Sequence, residues 1–297
     1  MAGDPPGVVL LHLQFPAEHT KIGWYALCAC KLQEMGGIAV KECWSVALIV
    51  ATETEMNAVM VMYDHWVPMR IDGDPQQYYE ACFFRDGRRY RILAARQEQM
   101  GMTAAATLAT KISYTFHPRY LIMVGIAAGV APKDVEEQLY GDVVVANTVW
   151  NYSFGKFVSA SDGTVAFGSV GFKPRPVTLG VSPDIFPYVR AAMASPENQN
   201  HVHIGPIASG SSVIANAEIL DKQIHSQFRD TAALDMEAYA VAYAITQMPN
   251  PQPIPLVIKS VCDYADSQKS DRYQKFAAYT SAEFAKLLYE KFLPMED

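Results

Sequence analysis

At 297 residues, 50% apolar and 19% charged, the chain is long enough for a sizeable core and too rich in core-forming types to be mainly disordered. A net charge of -7 gives no general basic field for a nucleic-acid backbone, so no nucleic-acid partner is expected. Cysteines 28, 30, 43, 82 and 262 are odd in number and form no C-x-x-C pair, which argues against a disulfide framework or zinc ribbon and for reduced, intracellular thiols.

The opening "MAGDPPGVVLLHLQF" carries Asp4 where a signal peptide has Lys or Arg, so a cytoplasmic location is expected. Residues 1–44 show no clean period and read as an N-terminal extension without an assigned role, leaving 45–297 as one domain. From "SVALIVAT" onward, β-branched runs alternate with helical patterns, as in an α/β domain with a central sheet. Strands are expected near 46–52, 79–85, 89–96, 120–126, 142–149, 202–209 and 255–261. "FRDGRRYR" places Asp86-Gly87, a strong hairpin-turn signal, among four arginines; a solvated tip explains it, with a polyanion site as the alternative. Helices are expected in "GMTAAATLATKISYTF", "AEILDKQIHSQF" and "YQKFAAYTSAEFAKLLYEKF". "YLIMVGIAAGVAP" is too short to span a bilayer, and its glycines suit a loop; no membrane segment is expected. His201 and His203 alternate in an expected strand, with no partner pair at ligand spacing nearby. They read as edge histidines; no metal and no cofactor is expected.

In α/β sheets ligands bind beyond the carboxyl ends of strands, so the residues just after each apolar run are informative. Glu53 and Glu55 follow "VALIVAT", "GIAAGV" follows "RYLIMV", Asp235 and Glu237 head the apolar run to Ala244, and Asp263 and Asp266 follow "PLVIKSVC". Taken singly, Asp235 is also explained as a helix N-cap, Glu237 as a first-turn charge, and Asp263 and Asp266 as caps of the helix that follows.

Together these segments resemble the nucleoside phosphorylase and nucleosidase superfamily, and most closely its methylthioadenosine/S-adenosylhomocysteine nucleosidases. The likeness lies in "ALIVATETEMNAV", "GMTAAATLAT", "RYLIMVGIAAGVAP" with "GDVVVANTVWNYSFGK", "SGSSVIANAEIL" with "ALDMEAYAVAYA", and "IKSVCDYADSQ", over residues 45–293. It implies a single α/β domain whose mixed, partly barrel-like sheet is flanked by helices. It also implies a purine N-glycosidase that needs no cofactor and forms a homodimer or larger homo-oligomer.

By that resemblance Glu237 receives the ribose hydroxyls, with Met236 beneath the sugar; a carboxylate accepts two hydroxyl donors at once. Asp263 is the acid for purine N7 and must hold a proton near neutral pH, which burial promotes. Glu55 activates the attacking water, with Glu53 as the second choice. Val213, Ile214 and Ala265 match the base contacts, and Gly125, Ala127, Ala128 and Gly129 the glycine loop. Lys156, Arg96 and Met100 fall toward the 5′ substituent.

Lys156 stands where methylthioadenosine nucleosidases are apolar, and a cation there suits a 5′-phosphate such as that of AMP or ATP. Val213 replaces an aromatic that stacks on the base, Ile126 a small hydroxyl residue, Cys262 a serine and Lys259 an arginine, so the base pocket is expected to differ in shape. A phosphorylase would keep Glu237 and Asp263 but cradle phosphate with glycine and arginine after the first strand, where "ATETEMNAVM" has neither. A non-catalytic nucleotide-binding module is the other alternative. "GIAAGV" is not the G-x-G-x-x-G of a dinucleotide-binding fold.

Overall fold

In the computed structural model the described residues are 44–131, 137–159, 170–212, 214–216, 220, 224–267 and 270–295, with the backbone of two short strands before them. Those two, β1 (Gln33–Met35) and β2 (Ile38–Val40), pair antiparallel in the segment expected as an extension.

β3 (Trp44–Val50) is apolar but for Ser45 and buried at all its residues, the pattern of a parallel strand covered on both faces. It lies between β6 (Arg88–Arg96) and β7 (Tyr120–Gly129), parallel to both. β5 (Tyr78–Arg85) and β6 form the expected hairpin. Asp86 and Gly87 take positive φ values of 52° and 75°, which a two-residue turn of matching twist requires. Of the arginines there, Arg85 donates to the Glu290 and Leu293 carbonyls. Arg91 pairs with Glu80 and lies over the Trp44 ring. β4 (Val67–Met69) is an edge strand on β5.

A ring of strands closes beyond β7. β8 (Val143–Asn151) runs parallel to β12 (Val202–Ser209), which runs parallel to β13 (Ala233–Asp235). β13 is antiparallel to β7, β7 parallel to β14 (Ile254–Asp263), and β14 antiparallel to β8. The result is a closed, mixed, five-stranded barrel, extended by β3, β6, β5 and β4, with β11 (Val177–Gly180) added to β8. β9 (Gly155–Ser159) and β10 (Val170–Pro174) form a separate hairpin.

"GIAAGV" is therefore not a loop. β7 continues through Gly129 because partners exist on both sides: Gly125 and Ile126 face Lys259 and Ser260 of β14, and Ala128 faces Leu234 of β13. Small residues permit this crowding, since a Cβ on Gly129 would lie 2.8 Å from Gln138 Oε1 and 2.9 Å from a Val261 methyl.

Helices α1 (Glu53–Met60), α2 (Met102–Phe116), α3 (Phe186–Met193), α4 (Ala238–Thr246) and α5 (Gln274–Leu287) surround the sheet. α2 packs on α4, while α5 packs on α1, β7 and β14. The spacing-based helices at 101–116 and from 273 correspond to α2 and α5, whereas half of "AEILDKQIHSQF" lies outside the described residues. No helix among the described residues is long and apolar enough to cross a membrane.

Candidate active site

β3 delivers the chain to Thr52, the N-cap of α1. Thr52 Oγ1 accepts the Glu55 N–H at 3.2 Å, and Glu55 Oε2 accepts the Thr52 N–H at 2.8 Å, the reciprocal capping box written in "TETE". The same carboxylate goes further than a cap needs. Its Oε2 also accepts the Ala51 N–H at 2.7 Å, and its Oε1 accepts the Ile126 N–H of β7 at 2.8 Å, with the residue 2% exposed. Glycine at 125 makes room for it, because a Cβ there would lie 2.0 Å from Oε1.

β13 ends on Asp235, which holds the head of α4: its Oδ2 accepts the Ala238 N–H at 2.9 Å and its Oδ1 the Ser209 hydroxyl at 2.6 Å. That arrangement frees Glu237, the N-cap residue of α4, from capping its own helix. Glu237 instead turns to the neighbouring helix, where Oε1 accepts the Gly101 N–H at 2.8 Å and Gln97 Nε2 at 3.4 Å. Gly101 has φ of 108°, a conformation suited to glycine. Burial pushes the Glu237 carboxyl above the ordinary glutamate range; Asp235 and Glu55 push the same way, against Lys259 and the Gly101 N–H.

Lys259 interrupts the apolar run of β14 and is fully buried, its Nζ 3.4 Å from Asp235 Oδ2. Burial opposes its charge, but Asp235, Glu55 and Glu237 together outweigh that and hold the ammonium above the usual lysine range. A buried cation thus balances three buried acids. β14 ends on Asp263, which is 3% exposed; its Oδ1 accepts the Ala265 N–H at 3.0 Å and its Oδ2 faces Cys262 Sγ at 3.4 Å. Ala265 adopts φ of 55°, in the left-handed region, as it turns that N–H back.

Glu55, Asp235, Glu237 and Asp263 share one cavity of about 370 Å³. Of the residues expected from sequence, Glu55, Ala127, Ala128, Ile214, Met236, Glu237, Asp263 and Met100 line it. Gly125 lies behind Glu55, Gly129 packs against Gln138 and Val261, and Ala265 is buried beneath Asp263. Lys156, Arg96 and Glu53 are solvent-exposed and do not line the cavity. Val213 lies outside the described residues.

Sequence reasoning did not place four further participants. Tyr152 lines the cavity and donates its hydroxyl to the Ser212 carbonyl at 2.6 Å; burial first, with Asp235 nearby, pushes its phenol up to about 12. A Cβ on Gly210 would lie 1.9 Å from that ring. Gln274 and Thr52 bring polar side chains to the lining, and Ser209 links Asp235 to the Tyr239 N–H at 2.9 Å. Only Thr52 had a local signal, as the first residue of the capping box.

The sequence profile of the Phosphorylase superfamily matches residues 46–293. The protein y4jS of Sinorhizobium fredii is 30% identical over 264 residues, which cover 82% of this chain and 60% of that protein. The ATP nucleosidase Cap17 of Escherichia coli is 24% identical over 266 residues, 80% of this chain and 49% of that protein. The chain therefore spans about half to three fifths of the length of these two relatives. Among solved structures, the 5′-methylthioadenosine/S-adenosylhomocysteine nucleosidase of Neisseria meningitidis, in complex with methylthio-immucillin-A, superposes with a TM-score of 0.65. It is 23% identical, over 83% of this chain and 98% of that one.

Proposed function

The chain belongs to the phosphorylase superfamily, and on that footing we propose that it is a purine N-glycosidase, using water to cleave the base–ribose bond and release adenine. The observation that carries this reading is the convergence of Glu55, Glu237 and Asp263 on one cavity, with Glu55 clasped by three backbone N–H groups.

Breaking the bond requires a better leaving group and support for an oxocarbenium-like sugar. Asp263 donates a proton to purine N7, so the base departs neutral. A carboxylate offers about four lone-pair sites, and the three N–H donors on Glu55 leave one to take the proton of the attacking water. The water oxygen bonds to C1′ as the base leaves. Glu237 accepts the ribose hydroxyls and Met236 lies under the sugar, while Ile214 contacts the base.

Hydrolysis is preferred to phosphorolysis because four carboxylates and no Lys or Arg line the cavity among the described residues, and such a lining repels phosphate as the nucleophile. Base release in phosphate-free buffer tests this: a strict requirement for phosphate would make the protein a phosphorylase. Binding of adenosine without turnover would make it a nucleotide-binding module.

We extend the reading to 5′-phosphorylated adenine nucleotides, supported by the similarity to Cap17 and by the exposed cations Lys156 and Arg96, which by resemblance fall toward the 5′ substituent. Lys156→Ala should lower AMP and ATP turnover by roughly tenfold, the loss of one charge-assisted contact, and leave methylthioadenosine turnover unchanged. Equal effects on all three would remove Lys156 from the site. The same reading takes residues 45–297 as the catalytic domain of a cytoplasmic homodimer or larger assembly, which light scattering tests.

A further inference from the structure

β8 and β12 run side by side with Val202 opposite Val143, and each is preceded by a polar residue, Asp142 and His201. His201 and His203 are two residues apart and so face the same side of the strand. Asp142 Oδ2 lies 3.1 Å from His201 Nδ1 and 2.9 Å from His203 Nε2, and the three atoms all fall within 4.8 Å of one another. Donors bound to one ion at about 2.0–2.1 Å stand roughly 2.9–3.4 Å apart at octahedral to tetrahedral angles. Both Asp142–histidine separations lie in that range.

We propose that Asp142, His201 and His203 form a site for a divalent first-row transition-metal ion, zinc foremost, that ties the start of β8 to the start of β12. Two imidazoles and one carboxylate suit zinc, cobalt or nickel better than magnesium or calcium, which prefer all-oxygen shells. The Leu139 N–H, 2.9 Å from Asp142 Oδ2, fixes the carboxylate between the two imidazoles. Access is open on one side, since the His201 side chain is 60% exposed while those of Asp142 and His203 are 7% and 4% exposed. Three protein ligands leave a position for water.

None of the three lines the catalytic cavity, and the opposite ends of β8 and β12 carry Tyr152 and Ser209. The ion therefore acts as a clamp on two barrel strands and takes no part in base release. Asp142 is also joined to β14, its carbonyl accepting the Val261 N–H at 2.9 Å.

The test uses the full chain, stripped with a chelator and dialysed against zinc, with bound metal counted by mass spectrometry and melting followed with and without zinc. The wild type should take up one zinc per chain and melt at a higher temperature with it. His201→Ala, at an exposed position where the fold is safe, should bind at least roughly tenfold more weakly and lose the zinc-dependent shift. His203→Ala should do the same. Uptake below one zinc per chain in the wild type, or unchanged affinity in His201→Ala, would overturn the proposal.

Discussion

Gly125→Ala moves the proposed water-activating group without altering its chemistry. The new Cβ would sit 2.0 Å from Glu55 Oε1 and 2.5 Å from its Cδ. The carboxylate must then retreat by roughly 1.4 Å to reach the 3.4 Å of ordinary contact. The three atoms nearest that Cβ all belong to the Glu55 carboxylate, so the far end of that side chain meets the clash first. The first bond lost is Ile126 N–H to Oε1, worth about 1.5–3 kcal/mol for a charged acceptor. Urea unfolding should register that loss. If Glu55 orients the water, chromatographic assay of released adenine should fall by roughly 10²–10⁴-fold, the usual worth of a general base. Glu55→Gln should fall comparably, and the double variant little further, because both changes remove one function. Turnover within threefold of wild type in Gly125→Ala would refute the role given to Glu55.

Two further substitutions probe the buried charges. Glu237 is raised above its ordinary 4.5, so its contribution to stability is present below that pH and is lost as pH rises through the higher folded value. Glu237→Gln cannot ionise; it should melt above the wild type near pH 8, converge with it near pH 4, and lose adenine release, as thermal melts and product assay will show. Lys259→Met leaves Asp235, Glu55 and Glu237 without their cation and should cost about 3–5 kcal/mol in urea unfolding, most of it regained in Lys259→Arg. A cost under about 1 kcal/mol would mean that the three acids do not depend on that charge.

The strands that form the barrel and its extension were legible because buried strands read as mostly apolar runs, as in β3, β7 and the part of β14 before Lys259. The start of α1 is obscured in the sequence because the acids of "TETE" suit a catalytic role as well as a capping box, and Glu55 serves both purposes. The extension of β7 through "GIAAGV" was hidden because glycine and alanine signal turns locally, and only the pairing partners across the barrel make them a strand. Asp235 and Glu237 were visible as acids heading an apolar helix, but not their division of labour, which depends on Ser209 and Gly101 far along the chain. Asp142 and the two histidines are 59 and 61 residues apart, so no local spacing joins them; the parallel register of β8 and β12 does.

The most direct test of the central claim is release of adenine from adenosine, methylthioadenosine, AMP and ATP in phosphate-free buffer by the wild type and by Asp263→Asn. The wild type should yield adenine and the free sugar product from at least one of the four. Asp263→Asn should bind that substrate by calorimetry yet release base roughly 10²–10⁴-fold more slowly, because the proton for N7 is gone. Equal release by the two proteins, or none from the wild type with any of the four, would contradict the account.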